Sequence, residues 1–109
     1  MKAVIRMDEE AVLITVTNGK DEDGFPVETT TREPVYARRK SATRTEFYEA
    51  LWSGVRVKTV LEVRCEDFAL APNATRIEYD GEVYDIIRTY SPDKSMIELI
   101  CGSVKIWPA

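Results

Sequence analysis

Carboxylates are the most frequent side chains in this chain that could do chemistry. The sequence has 19 Asp and Glu residues, two Cys and no His. Two facing carboxylates can hydrolyse a glycosidic bond, but here the acids alternate outward along predicted strands or lie in turns. Without His, the chain has no imidazole base, no His metal ligand and no Ser–His or Cys–His nucleophile pair. We therefore predict that the protein is not an enzyme, and we identify no catalytic residue, metal site or cofactor.

The densest acidic cluster is Asp21–Asp23, which precedes Gly24-Phe25-Pro26. It resembles part of a calcium loop but lacks the earlier ligand positions and the distal bidentate Glu. Asn18-Gly19 opens this polar segment, and Gly and Asn favour turns. One interpretation is a solvated hairpin tip. The other is a mobile loop that presents charge to a neighbouring subunit or a channel, with Lys20, Asp21, Glu22, Asp23 and Phe25 as its candidate residues.

A basic cluster follows about fifteen residues later, formed by Arg38, Arg39, Lys40 and Arg44. It lies where a predicted strand ends and a predicted helix begins. Solvated charges at such a junction are one interpretation. The alternative is a contact patch between subunits, which would receive an acidic neighbour such as the 21–23 segment of another copy.

The charge balance and length limit the class of protein. The chain has 109 residues, 15 Lys and Arg, and a formal charge of −4, so it lacks the basic surface that grips nucleic acid. Its apolar runs are too short to span a membrane, and Met1–Arg6 does not read as a signal peptide. We expect one domain over residues 1–109 in the cytoplasm. There Cys65 and Cys101 are expected to be reduced, although a disulfide stays possible if their strands are neighbours.

Alternating patterns predict about six strands. They lie near residues 12–17, 27–39, 57–65, 76–79, 82–87 and 95–104. Pro34 places the second strand at an edge or at a bulge, and Asp80-Gly81 predicts a two-residue hairpin. In the 57–65 strand one face is expected to carry Val57, Thr59, Leu61, Val63 and Cys65, and Glu62 to point outward. In the last strand Ile97, Leu99 and Cys101 are expected to point inward.

One short helix is predicted at about residues 43–53. Thr43 and Glu46 form a capping box, Phe47, Leu51 and Trp52 are expected to dock on a sheet, and Gly54 ends the helix. The expected fold is mainly β, a small antiparallel β-barrel of about six strands whose end this inserted helix plugs. The tail at 105–109, with Trp107, has no pattern.

Two segments carry a family resemblance, Glu46-Phe-Tyr-Glu-Ala50 on the helix and Arg76-Ile-Glu-Tyr-Asp-Gly-Glu-Val-Tyr-Asp-Ile-Ile87 in the hairpin. With the order of elements, they make the chain resemble the head–tail joining or head-completion proteins of long-tailed bacteriophages and prophages, nearest to the stopper type. The resemblance implies a structural virion protein with a small β-barrel and no cofactor. It also implies a ring under the portal and its adaptor that closes the DNA exit channel after packaging and provides the docking surface for the tail.

The same resemblance implies the partners. These are further copies of the chain in a ring expected to be dodecameric from subunits that are monomers in isolation, portal and adaptor proteins, tail proteins, and passing double-stranded DNA without sequence-specific binding. No membrane is involved. The location implied is the host bacterial cytoplasm during assembly and then the head–tail interface of the virion. A loop is expected to project into the channel, and it matches either 18–26 or part of 38–44.

Two other interpretations stay open. A tail-completion or tail-terminator protein also forms rings, but on the tail tube. A small OB-like or SH3-like barrel would bind nucleic acid or a peptide. For the latter, Tyr84, Arg88 and Tyr90 are predicted to share one strand face, on which bases would stack.

Overall fold

Six strands and two helices make up the described part of the chain, residues 9–52 and 54–104 of a computed structural model. In chain order they are β1 (Glu9–Lys20), β2 (Pro26–Arg39), α1 (Ala42–Leu51), β3 (Val55–Arg64), α2 (Cys65–Phe68), β4 (Arg76–Tyr79), β5 (Glu82–Tyr90) and β6 (Met96–Val104).

The strands form one closed antiparallel barrel in the order β1-β2-β3-β6-β5-β4, with β4 pairing back to β1. This confirms the predicted fold class. Closure gives each of the six strands two neighbours, which removes unpaired edges within the barrel. The interior is filled by side chains of all six strands, including Leu13, Val35, Leu61, Ile77 and Leu99.

The tight turn predicted at Asp80-Gly81 is confirmed. Asp80 has φ of 51° and Gly81 has φ of 81°, and Tyr79 and Glu82 face each other across the turn. Positive φ at both central residues is the geometry of the two-residue hairpin turn that suits strand twist.

A β-bulge in β3 corrects the predicted face of this strand. The register with β6 shifts between Val57 and Thr59, so Val57 joins Val60 in a second cluster outside the barrel wall. Leu61 and Val63 remain in the interior. An extra residue in one strand reverses the alternation beyond it, and uninterrupted alternation from Val57 to Cys65 was therefore wrong.

Helix α1 packs on the outer face of this wall and does not plug the barrel end. Its anchor is Tyr48, which is 1% exposed, whereas the predicted docking residues Phe47 and Leu51 are 50% and 57% exposed. The N-cap is Ser41, without a side-chain capping bond, so the predicted capping box was wrong. Gly54 has φ of 84°, which confirms its predicted left-handed conformation, although the helix already ends at Leu51 with Trp52 as its C-cap.

The barrel end is covered instead by α2 and the turns that follow it. Phe68, Ala71 and Ala74 pack against the interior core. Sequence analysis missed this element because a helix of four residues is too short to show a 3.6-residue period.

β1 and β2 extend well beyond the barrel as a two-stranded hairpin. We call residues 17–30 the arm, since all of them are exposed. The pairing of β1 with β2 in the arm runs from Thr17–Thr29 to Lys20–Pro26. By contrast, β4 pairs with β1 only at Ala11–Ile14, and β3 pairs with β2 only at Ala37–Arg39. The arm gives a molecule of 62 × 36 × 26 Å with a radius of gyration of 15.7 Å, against about 13 Å for a compact domain of this size.

Both cysteines are free thiols. Cys101 is buried in the interior core, whereas Cys65 starts α2 beside Ser95 at the other end of β6. None of the described helices has the length and apolar character needed to cross a membrane. The predictions for the N-terminus and for Trp107 concern residues outside the described ranges.

Gly102 provides a test of the bulge. A Cβ at this position would collide with the backbone carbonyl of Arg56, whereas at Gly19 it would meet only Val27 at 4.0 Å. We expect Gly102→Ala to lower the free energy of unfolding by about 1–3 kcal/mol, because backbone has to move. Urea denaturation measures this. The matched control Gly19→Ala should change stability by less than about 1 kcal/mol; equal effects would contradict the bulge geometry.

Candidate functional site

The structure separates the two predicted clusters. Lys20, Asp21, Glu22, Asp23 and Phe25 lie at the tip of the arm, and Arg38, Arg39, Lys40 and Arg44 lie at the junction of β2 and α1. The first set is exposed, whereas in the second set Arg38, Lys40 and Arg44 are half-buried and Arg39 is exposed.

The arm tip is a turn that hydrogen bonds of Asp21 hold in place. The Asp21 carboxylate accepts hydrogen bonds from the backbone N–H groups of Asp23 and Phe25, both at 2.9 Å. The Asp21 N–H donates to the Phe25 carbonyl at 2.9 Å. Asp21 therefore shapes the turn, while the carboxylates of Glu22 and Asp23 point to solvent and the Phe25 side chain stays 66% exposed.

Three of the four basic residues bind buried carboxylates of their own chain. Arg38 donates to Glu62 at 2.6 Å, and the Lys40 ammonium lies 3.6 Å from the same carboxylate. Arg44 donates through two nitrogens to Glu98, at 2.9 and 3.0 Å. The basic cluster is thus largely neutralised within the subunit.

Arg39 is the exception in this cluster. Its guanidinium lies 5.0 Å from the centroid of the Tyr79 ring and donates to the Tyr84 hydroxyl at 3.4 Å. Among the described residues no carboxylate lies within 4 Å of it. Arg39 is exposed, so it retains charge to offer a partner.

Glu62 and Glu98 face each other directly across the β3–β6 pair. They are 6% and 2% exposed, and opposed like charges destabilise a sheet. The surrounding cations compensate both, so this ion-pair cluster joins β2, α1, β3 and β6. Sequence analysis missed it because Glu62 was expected to point to solvent, whereas α1, which precedes β3 in the chain, covers the outer face of β3.

The electrostatics at Glu98 follow from its donors. Burial alone would raise the pKa of Glu98, but the hydrogen bonds from Arg44 and Tyr48 hold it below its ordinary value. Tyr48 donates its hydroxyl to Glu98 at 2.8 Å. Burial, followed by this hydrogen bond, raises the pKa of Tyr48 to about 12. Glu98 is therefore ionised and Tyr48 protonated at neutral pH.

An aromatic groove lies on the outer side of this cluster. Tyr48 stacks on Trp52 with ring centroids 5.0 Å apart and meets Tyr90 edge-on at 6.4 Å. The groove has a volume of about 210 Å³ and is lined by Arg44, Phe47, Tyr48, Leu51, Trp52 and Tyr90. Arg88 lies over the Trp52 ring, 4.8 Å from its centroid.

This arrangement does not form the predicted base-stacking face. Tyr84 packs in the barrel interior, whereas Arg88 and Tyr90 contact the aromatic residues of α1 or its end. A register shift between Ile86 and Arg88 separates them. A continuous row of Tyr84, Arg88 and Tyr90 was therefore wrong.

No group of three or more metal-ligating side chains converges in the described residues. The described surface instead offers an exposed acidic tip, an exposed aromatic groove and an internally neutralised basic cluster. Such features suit protein–protein contact.

Comparison with known proteins gives one match. The family model described as phage head completion protein matches residues 3–104, which is most of the 109 residues. No curated protein and no solved structure matches the chain.

The ion-pair cluster predicts a large effect from a small substitution. Glu98→Gln keeps the shape but removes the charge that Arg44 and Tyr48 bind. We expect the free energy of unfolding at pH 7 to fall by about 1.5–3 kcal/mol. The control Glu78→Gln breaks an exposed ion pair with Arg32. It should change the free energy of unfolding by at most about 1 kcal/mol. Similar losses in the two variants would show that the Glu98 cluster contributes no more than a surface pair.

The same cluster predicts a pH dependence. The folded protein holds the pKa of Glu98 below the ordinary 4.5. The contribution of ionised Glu98 to the free energy of unfolding is therefore complete above about pH 4.5, and it is lost as the pH falls through the lowered pKa of the folded state. The stability difference between wild type and Glu98→Gln should therefore shrink below about pH 4.5. Chemical denaturation at several pH values measures it, and a difference that stays constant into acid would refute the assignment.

Proposed function

We propose that this chain, which belongs to the phage head completion protein family, forms a ring at the head–tail junction that closes the DNA exit channel after packaging. The family gives it a structural role in completing the head and places it in the virion. The ring, its position under the portal and adaptor, and the tail-docking surface are the finer parts of the proposal. Assembly would take place in the cytoplasm of the host bacterium.

The arm is the observation that carries this proposal. Its residues 17–30 are exposed along their whole length, and an isolated two-stranded hairpin is only marginally stable in water. The barrel wall does not pack against it, so it contributes little to folding. An arm with an exposed aromatic residue at its tip is suited to contact with another subunit or protein.

The charge of the arm would suit one of the two positions open to it, a position beside DNA in the channel. It carries one Lys and four carboxylates, Asp21, Glu22, Asp23 and Glu28, for a net charge of −3. Acidic groups repel phosphates. They also release no counterions from DNA, so binding gains no free energy from that source. A ring with such a surface would let DNA pass without holding it. The 38–44 region is a weaker candidate for the channel because its cations are engaged with Glu62 and Glu98.

A ring needs a heterologous interface, in which two different patches of the chain meet. The acidic tip is one candidate patch, and the basic cluster remains a candidate for the other. Within that cluster Arg39 is the residue that keeps an unneutralised charge among the described neighbours. The arm would either reach the next subunit or point into the channel.

The first test is electron microscopy of particles from a phage or prophage that lacks this gene. We expect tailless heads that have lost their DNA, because the exit channel stays open. DNA-filled heads beside finished, unattached tails would give the protein a joining role without sealing. Normal virions would show that the proposal is wrong and would favour the interpretation of a barrel that binds a peptide or nucleic acid.

A matched variant tests the arm in the same background. Replacing residues 17–29 with an Asn-Gly turn joins Val16 to Thr30, which already face each other, and this pair of residues closes two-residue hairpins. Because the barrel core is untouched, we expect the variant to fold with near wild-type stability yet fail to restore infectious particles to the deletion. Full restoration would show that the arm is dispensable.

A further inference from the structure

We propose that the arm tip of one copy docks in the aromatic groove of the next copy, with Phe25 as its anchor and Glu22 and Asp23 beside Arg88. The inference rests on the proposed ring and adds the contact that would build it. It assigns the arm to the neighbouring subunit and not to the channel.

The groove is open on its outer side. Of its lining residues, Phe47, Leu51 and Tyr90 are about half exposed, at 50%, 57% and 48%. Three large apolar side chains side by side on one monomer mark a surface for a partner. Tyr48 beneath them is fixed by Glu98, so the floor of the groove is rigid before any partner arrives.

The arm tip offers an anchor of matching size. Phe25 is the most exposed large hydrophobic residue described, at 66%, and the hydrogen bonds of Asp21 hold its backbone in place. An apolar cavity of about 150 Å³ takes up a benzene ring, so the groove of about 210 Å³ accommodates a phenyl side chain. Aromatic residues in pockets are typical anchors of protein interfaces.

The charges around the two surfaces are complementary. Arg88 stacks on Trp52 at the groove, and the described residues place no carboxylate within 4 Å of its guanidinium. Glu22 and Asp23 likewise have no cation within that distance in the described chain. The tip thus brings carboxylates to an arginine that lacks one.

The topology makes this a contact between copies. The arm extends from β1 and β2, whereas the groove is formed by α1 and Trp52 at its end, which pack on β3, together with Tyr90 of β5. The arm projects away from the barrel and does not reach its own groove. A contact between the arm of one copy and the groove of the next joins two different patches and is heterologous, and such contacts form a ring when the rotation between copies closes.

A photo-crosslinking amino acid in place of Phe25 tests the contact in assembled particles. The full-length variant is supplied to the deletion background, particles are irradiated, and the attachment site is mapped by mass spectrometry. We expect a covalent dimer of this chain joined to the groove, at Leu51 or Trp52. Attachment to another surface of this chain, to the 105–109 segment, or to a portal or tail protein would overturn the proposal.

Charge reversal with rescue provides a second measurement. Arg88→Glu and the double variant Glu22→Arg/Asp23→Arg should each lower the yield of infectious particles at least tenfold. Combining all three should restore it to within about threefold of wild type, because the ion pairs re-form with reversed sign. The control Glu28→Arg changes charge on the same arm away from the tip and should have little effect. Absence of rescue would contradict pairing between these residues.

Failure of this contact and failure of the proposed function give different results. If deletion of the gene leaves heads empty while the crosslink from position 25 maps elsewhere, the head-closing role stands and the groove contact is wrong. If deletion yields normal virions, the head-closing role itself is wrong, whatever position 25 contacts.

Discussion

Two buried carboxylates that face each other across one strand pair determine how the outside of this barrel is built. Glu62 and Glu98 are directly opposed in the β3–β6 register, and buried like charges are tolerated only when cations and hydrogen bonds surround them. Those cations come from Arg38 and Lys40 at the end of β2 and from Arg44 on α1. The chain between β2 and β3 must therefore fold back over the barrel wall, which places the helix there and not at the barrel end.

The position of α1 has consequences for the surface. The helix buries a single aromatic residue, Tyr48, whose hydroxyl is held by Glu98. Phe47 and Leu51 are turned outward as a result, and with Tyr90 and Trp52 they line the groove. A helix docked by all its apolar residues, as its periodicity suggests, would leave no groove. Satisfying the buried acids thus leaves apolar surface available for assembly.

The features that depend on short-range sequence patterns could be predicted from the sequence. Those that depend on contacts between charged groups far apart in the chain could not. Alternation and the Asp80-Gly81 turn predicted six strands and the hairpin, because both signals lie within a few residues. The bulge near Val57, the one-turn helix α2 and the burial of Glu62 were missed. The bulge and the burial of Glu62 arise from partners distant in sequence, whereas the four residues of α2 are too few to show a helical period. At the candidate site the exposed acidic tip was predicted. The aromatic groove was not, because it depends on the position at which α1 packs on the barrel.

The small size of the proposed arm contact fits a subunit that must wait before it assembles. A docked aromatic residue buries about 150–250 Å², and stable specific interfaces bury about 1,200–2,000 Å² in total. One arm tip in one groove is therefore too little to hold free copies together in solution. If copies sit side by side on a filled head, as proposed, they would have a much higher effective concentration, and the same weak contact would become effectively intramolecular. A closed ring also engages every arm and every groove at once. Under the proposal, the free subunit would have no stable oligomer to form too early, and the ring would be completed only where a template gathers its members.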